Sequence, residues 1–452
     1  MNVLFNLYPV FICTEKKQFS NVILQKIRMK SIVIILLFML YTVNSLSQST
    51  LNDFIVKSKW NSPAISEIKN LIKIKEIQSK LIDVQNKAST VSFTSDLYFS
   101  PYFNNKEQLI SISNSPDQTA VGYDINVSNG GLYSTQLNIT KNLLNNRLVE
   151  NLQFQNYLQI GGDKLNHKLV QHNLEKQITD SYILAYQIQM QDEFLSNELL
   201  EIQKRIDLVE ILTQKGIVQE SDLLLLQLEQ SSKQTARLQI KANFNNALNQ
   251  LYNLSNLAYA DSTYLVTPII PLNSIKDTLY LDEKYKNDSL LIEANTHVFN
   301  NQYKPQLNLY ANTGVNSADI KHINHHFGIS GGIRLSIPIY DGGQKNIFSQ
   351  QQHLYQENLM RAKKSDKIKL NNNLNSLQNQ IDQTKKNIEA LDAQLVIQQK
   401  IRNLYQIKLT KGQVSIVDFL NISRDFRQTQ FLKIQIQTNL WLLYSQFNYI
   451  NW

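Results

Sequence analysis

Lys215-Gly216-Ile217-Val218-Gln219-Glu220-Ser221-Asp222-Leu223-Leu224 returns 196 positions later as Lys411-Gly412-Gln413-Val414-Ser415-Ile416-Val417-Asp418-Phe419-Leu420. Both follow Lys-Gly-x-Val-x-x-x-Asp-apolar-Leu. Glycine suits the left-handed position that ends a helix, and the residues after each glycine restart one. Each segment therefore reads as the tip of a helical hairpin. Before the first tip, Leu195, Leu199, Ile202, Ile206 and Val209 keep a 4-3-4-3 spacing, the seam that a partner helix fits. Before the second, Ile381, Ile388, Leu391 and Leu395 begin the same way until Gln398 interrupts. Residues 345–409 hold neither Pro nor Gly, so 65 residues can run as one helix of about 98 Å.

Strand patterns precede the helices. Ser62-Pro63 reads as an N-cap and first helical residue, opening a helix through about Lys87. An aromatic, Ser/Thr-rich stretch, Val91 to Phe99, follows; after a polar loop near 104–119 comes Val121 to Thr140. In the second half, residues 305–313 and 328–337 alternate with period two around a loop near 316–325. Each half thus reads helix, strand, loop, strand, long helix, tip, helix. Strands of this kind resemble barrel strands more than buried parallel ones. Four cannot close a barrel, so the chain has to oligomerise. The expected division is a first repeat over 48–260, a linker over 261–278 with Pro268 and Pro271, and a second repeat over 279–452.

The amino terminus carries an export pattern. Met29-Lys30 leads into an apolar run from Ser31 to Val43, and Ser45 and Ser47 stand at −3 and −1 to Gln48. Residues 1–47 are expected to be an extension plus signal peptide, with Met29 a candidate start. The run is short for a spanning helix, which needs ~20 residues. No later stretch is longer, so membrane residence would require strands closed into a barrel.

Composition narrows the rest. The 452 residues are 42% apolar and 18% charged with net charge +8, and residues 1–47 contribute five of the bases against one acid. The remaining excess is mild, and no basic block interleaves with aromatics, so no nucleic-acid partner is expected. The single cysteine, Cys13, rules out an internal disulfide framework and cysteine zinc sites. No catalytic motif or cofactor-binding pattern is present. His322, His325 and His326 cluster between two strands, but with only Asp319 beside them a polar surface loop is the expectation and no metal is assigned. The aromatics Trp441, Tyr444, Phe447, Tyr449 and Trp452 are spaced to pack the last helix.

Tyr303-Lys304-Pro305-Gln306-Leu307-Asn308-Leu309-Tyr310-Ala311-Asn312-Thr313-Gly314 resembles the TolC-like outer membrane efflux family. So do Arg334-Leu335-Ser336-Ile337-Pro338-Ile339-Tyr340-Asp341-Gly342-Gly343, the paired tips and the internal repeat. The likeness runs over nearly all of residues 50–450. It implies an α+β membrane protein: a homotrimer whose four strands per chain make a twelve-stranded outer-membrane β-barrel, continuous with a long α-helical barrel in the periplasm. Such a duct serves a periplasmic adaptor (membrane fusion) protein and an inner-membrane pump, sits in outer-membrane lipid, and is no enzyme.

The resemblance also assigns residues. The acid after the second tip glycine, here Asp418, faces the narrow periplasmic end of the tunnel, where three copies form an acidic ring that binds cations. The acid often found one turn later is Asn421 here, which predicts a weaker field. The Arg often found two residues after that glycine is Val414, so the latching contacts of those relatives lose their Arg. Asp222 is the first-repeat equivalent. Its competing role, shared with Asp418, is to cap helix amides. Adaptor docking is expected around Lys215, Gly216, Val218, Lys411, Gly412 and Val414. Pro338, which cannot donate to a ladder, with Asp341, Gly342 and Gly343, reads as a strand-to-helix junction. The rival readings are a periplasmic adaptor, which would carry one hairpin, and a soluble coiled-coil scaffold.

Overall fold

The computed structural model describes residues 47–97, 133–261, 263–276, 280–317 and 320–452. The export segment up to residue 46 and the loop near 104–119 lie outside them. Helices α1 (Leu51–Asn61) and α2 (Pro63–Lys87) come first. Ser62 caps α2, its Oγ accepting from the Ile65 amide, with Pro63 in the first turn. Two long hairpins follow: α3 (Asn146–Gln214) with α4 (Glu220–Leu254), and α6 (Gln344–Thr410) with α7 (Ile416–Ile450). Between them lies α5 (Tyr280–Asn300). The 69 residues of α3 and 67 of α6 each extend about 100 Å. Gly216 (φ 71°) and Gly412 (φ 68°) take the left-handed conformation that stops the first arm of each hairpin.

The seams read from heptad spacing are buried. Leu195, Ile202, Ile206 and Val209 line the first, and Ile381, Leu391 and Leu395 the second. Ile202, Ile206, Val209, Leu226 and Ile416 form one apolar cluster, so the two tips pack against each other. At the other end of the hairpins, the Trp452 ring stacks on His172 at 4.0 Å and on Tyr280 at 4.7 Å, which docks the carboxyl terminus.

A two-stranded parallel sheet pairs β1 (Ser47–Ser49) with β4 (Thr263–Leu265), and β4 lies inside the segment read as linker. No apolar alternation announces it. The Tyr182 hydroxyl donates to the Ser49 and Val266 carbonyls, and Gln189 brackets Leu265, accepting from its amide and donating to its carbonyl. Side chains of α3 thus satisfy a short strand that its own sequence does not specify.

The main sheet has the order β2-β3-β5-β6, antiparallel throughout: β2 (Thr90–Leu97), β3 (Tyr133–Asn142), β5 (Gln306–Ser317) and β6 (Phe327–Ser336). β5 runs four residues past the expected end at 313, because Gly314 to Ser317 stay in register with Gln136 to Tyr133. Residues Ile320–His325 then form a 3-10 turn rather than an open loop. Strands β2 and β6 are unpaired edges of the described sheet. Among the described residues, no helix is long and apolar enough to cross a membrane.

Candidate functional site

The sheet has two chemically distinct faces. Directly opposed residues of an antiparallel pair share a face, so the register sorts every side chain. One face carries Val91, Ile139, Ala311 and Gly331 in one row and Phe93, Leu137, Thr313 and Ile329 in another. Leu307–Leu335, Leu309–Ile333 and Val315–Phe327 continue it. The other face carries Ser92, Asn138, Asn312 and Ser330, then Thr94, Gln136, Gly314 and Gly328. Its amides bond across strands: Asn138 Nδ2 donates to Thr94 Oγ1 at 2.8 Å, Asn312 Nδ2 to Gln136 Oε1 at 3.2 Å, and Ser330 Oγ to Asn312 Oδ1. Among the described residues the apolar face is uncovered: Phe93, Ile329 and Ile333 are exposed.

Below β6 the chain turns from sheet to helix. Pro338 lies two residues beyond the strand end at Ser336. Gly342 (φ 67°) and Gly343 (φ 82°) hold the turn. The Asp341 carboxylate accepts from the Gly343 amide at 2.8 Å and the Lys345 amide at 2.9 Å, capping α6. Those amides, with the Lys345 bond foremost, hold Asp341 below the usual carboxylate range.

At the tips, Lys215, Gly216, Lys411 and Gly412 are exposed, while Val218 and Val414 are half-buried. Val218 packs on the shared tip cluster. Asp418 and Asn421 are exposed on α7, and Asp222 is half-buried on α4. Asp418 also completes a cap: Ser415 Oγ accepts from its amide at 3.1 Å and donates to its Oδ2 at 2.7 Å. Exposed Asp425, seven residues on, shares the Asp418 stripe and was not singled out from the sequence.

A buried ionic node above the tips was not anticipated either. Glu198 of α3 accepts from Arg402 of α6 at 2.8 Å and from Lys233 of α4 at 3.2 Å. Arg427 of α7 reaches Glu229 of α4 at 2.8 Å. Burial alone would raise the Glu198 pKa, but Lys233 and Arg402 outweigh it and hold the group below the carboxylate range. Burial dominates at Lys233 and pulls it below the lysine range despite Glu198. The signal was available: Leu195, Glu198, Ile202, Arg205 and Val209 follow a 3-4-3-4 stripe, so two charges occupy core spacing. Among the described residues, no group of three or more His, Cys, Asp or Glu side chains is placed to hold a metal; the His322 side chain lies outside them.

The arrangement is an outer-membrane channel fold. The chain superposes on CusC with a TM-score of 0.68 at 13% identity, covering 90% of this chain and 92% of that one. It matches the outer membrane protein VceC of Vibrio cholerae with a TM-score of 0.64 at 12% identity, over 89% and 96%. It matches the Campylobacter jejuni CmeC outer membrane channel with a TM-score of 0.65 at 12% identity, over 88% and 85%. Residues 292–441, which include β5, β6, α6 and most of α7, match the family Outer membrane efflux protein. No curated protein matches the chain in sequence. The family match and the shared fold bear out the resemblance to TolC-like outer membrane efflux proteins.

Proposed function

We infer that the chain is one protomer of an outer-membrane exit duct, a passive conduit from the periplasm to the exterior. The segregation of the sheet's faces carries this reading. An uncovered apolar face on strands of 8 to 12 residues suits a lipid-facing band ~25 Å tall, and a polar face suits a water-filled lumen. The edges supply the route to closure: β6 of one copy pairs with β2 of the next, and three copies make twelve strands. Chain continuity supports this, since α2 leads into one edge and α6 leaves the other. Both helices expose apolar residues, Leu71, Ile74, Ile77 and Val84 on α2 and Ile347 and Leu354 on α6. Adjacent copies would bury these stripes together.

Within this trimer the repeats 48–260 and 279–452, joined through 261–278, would each contribute two strands and one hairpin. The helices form the periplasmic tunnel. A periplasmic adaptor docks around Gly216 and Gly412, an inner-membrane pump supplies energy, and the duct catalyses no reaction. Two hairpins and a sheet with one wet and one greasy face disfavour the adaptor and scaffold readings.

The membrane fraction tests this directly. The expected result is a heat-modifiable trimer in the outer membrane of a Gram-negative cell; a stable soluble monomer in the periplasm would overturn it. A paired substitution tests the faces. Ile329→Arg should destabilise the assembled protein by about 2–4 kcal/mol, whereas Ser330→Arg, its neighbour on the lumen face, should assemble normally. Equal behaviour of the two variants would refute the assigned orientation.

At the tips, Asp418 from three copies would form the constriction, with Asn421 diluting its field and Asp222 beside it. Asp418→Ala should raise single-channel conductance or lower cation selectivity in planar bilayers. An unchanged current–voltage and selectivity record would remove Asp418 from the constriction.

A further inference from the structure

Strands β2, β3, β5 and β6 carry three charged residues, Asp96, Lys141 and Arg334. The register sorts them. Lys141 opposes Leu309, which opposes Ile333, so it stands on the apolar face. Arg334 opposes Asn308, which opposes Asn142, so it stands on the polar face, two residues before the end of β6. Asp96 shares the polar face through Ser134 and Asn316. It lies at the opposite end: from Asn308 to Asn316 along β5 is eight residues, or about 27 Å. That exceeds the ~10 Å screening length of 0.1 M salt, so Asp96 leaves Arg334 un-neutralised. The acid nearest Arg334 in sequence, Asp341, is engaged by the Gly343 and Lys345 amides.

Arg334 is exposed, and its guanidinium has no carboxylate partner among the described residues. It is nevertheless held. The Tyr310 ring lies 5.7 Å from it, within the range at which an aromatic quadrupole attracts a cation. Tyr310 in turn lies over Gly332, its directly opposed residue: a Cβ there would meet the Tyr310 hydroxyl oxygen at 2.6 Å. The bare strand position makes room for the ring, and the ring props the guanidinium on the polar face. We propose that Arg334 is a charge-selecting residue of the duct. Three copies form a basic collar where the helical tunnel opens into the β-barrel, and the collar favours anionic solutes over cationic ones. It acts in series with the carboxylates of Asp418 at the far end of the helices and has the opposite sign. The inference rests on the duct reading, which places the polar face on the lumen.

Ion selectivity of the purified full-length protein in planar bilayers tests it, from the reversal potential in a potassium chloride gradient. The tip acid is removed first, so every comparison is made in the Asp418→Ala protein. That channel should prefer chloride in dilute salt and lose the preference near ~1 M, where the screening length falls to about 3 Å. Adding Arg334→Gln should abolish the chloride preference, and Arg334→Lys should keep it. Arg334→Cys places a thiol at the collar, and the chain's own cysteine, Cys13, lies in the expected export segment. A cationic methanethiosulfonate reagent added to this already conducting channel should restore the chloride preference, and an uncharged analogue should not. This readout survives poor assembly of the Gln variant. Selectivity that is the same with and without Arg334, or that ignores the cationic reagent, overturns the collar alone. A protein that conducts nothing overturns the duct reading, and the collar with it.

Discussion

Gly314→Ala should prevent the four-stranded sheet from assembling. Gly314 has φ 151°, and a Cβ there would sit 2.2 Å from the Thr135 carbonyl oxygen and 2.8 Å from the Gln136 Cα. Both obstacles are backbone atoms of the adjoining strand, so no rotamer change relieves the clash. Strands β3 and β5 must part, and theirs is the seam that joins hairpin β2–β3 to hairpin β5–β6. Overpacking and backbone strain together put the cost at ~3 kcal/mol or more. The heat-modifiable species should vanish from outer-membrane extracts. Gly328, directly opposite Gly314 on β6, is the control, because nothing lies within 4 Å of a Cβ built there. Gly328→Ala should assemble normally. If both variants assemble alike, the register placed here between β3 and β5 is wrong.

Glu198→Leu should be nearly as damaging, for an electrostatic reason. It leaves Arg402 in the hairpin interior without the carboxylate it bonds, and Lys233 with only Glu229, 3.8 Å away. Removing one partner from a buried ion pair costs about 3–5 kcal/mol. The melting temperature should fall sharply, while the combined change Glu198→Leu, Lys233→Met and Arg402→Met should recover much of the loss, because it removes all the stranded charge. No recovery would mean that these residues act through something other than mutual charge. The same node sets an acid response. The folded Glu198 pKa lies below its unfolded value of about 4.3. Its ionised form therefore stabilises the fold fully above that value, and the contribution is lost as pH falls through the lower folded pKa. Stability measured against pH should show this acid step in the unaltered protein and lack it in the Leu variant.

The sequence announced structure where the chain's own pattern sufficed. The Ser62-Pro63 start, the Pro- and Gly-free run ending near Thr410 and the glycine at each tip are local signals, and the helix bounds follow them closely. Period-two alternation located β5 and β6 for the same reason. The parallel pair β1–β4 was not legible, because a three-residue strand has no room for a pattern and is held by Tyr182 and Gln189 from far along the chain. The ionic node was hidden differently. Glu198 and Arg205 sit at seam spacing among polar helix faces, and charges are ordinarily assigned to solvent; only the packing of four helices together makes them interior. Asp341 reads from sequence as part of a strand-to-helix junction, and its role as the cap of α6 needed the amide positions of Gly343 and Lys345.

The open sheet has a consequence for biogenesis. A newly exported copy carries Phe93, Ile329, Ile333 and Leu335 bare on one surface, with two unsatisfied strand edges beside them. In the aqueous space it must traverse, such a polypeptide is a template for aggregation. On the duct reading that greasy surface stays bare until bilayer and sister copies cover it, so folding and insertion would be one coupled event.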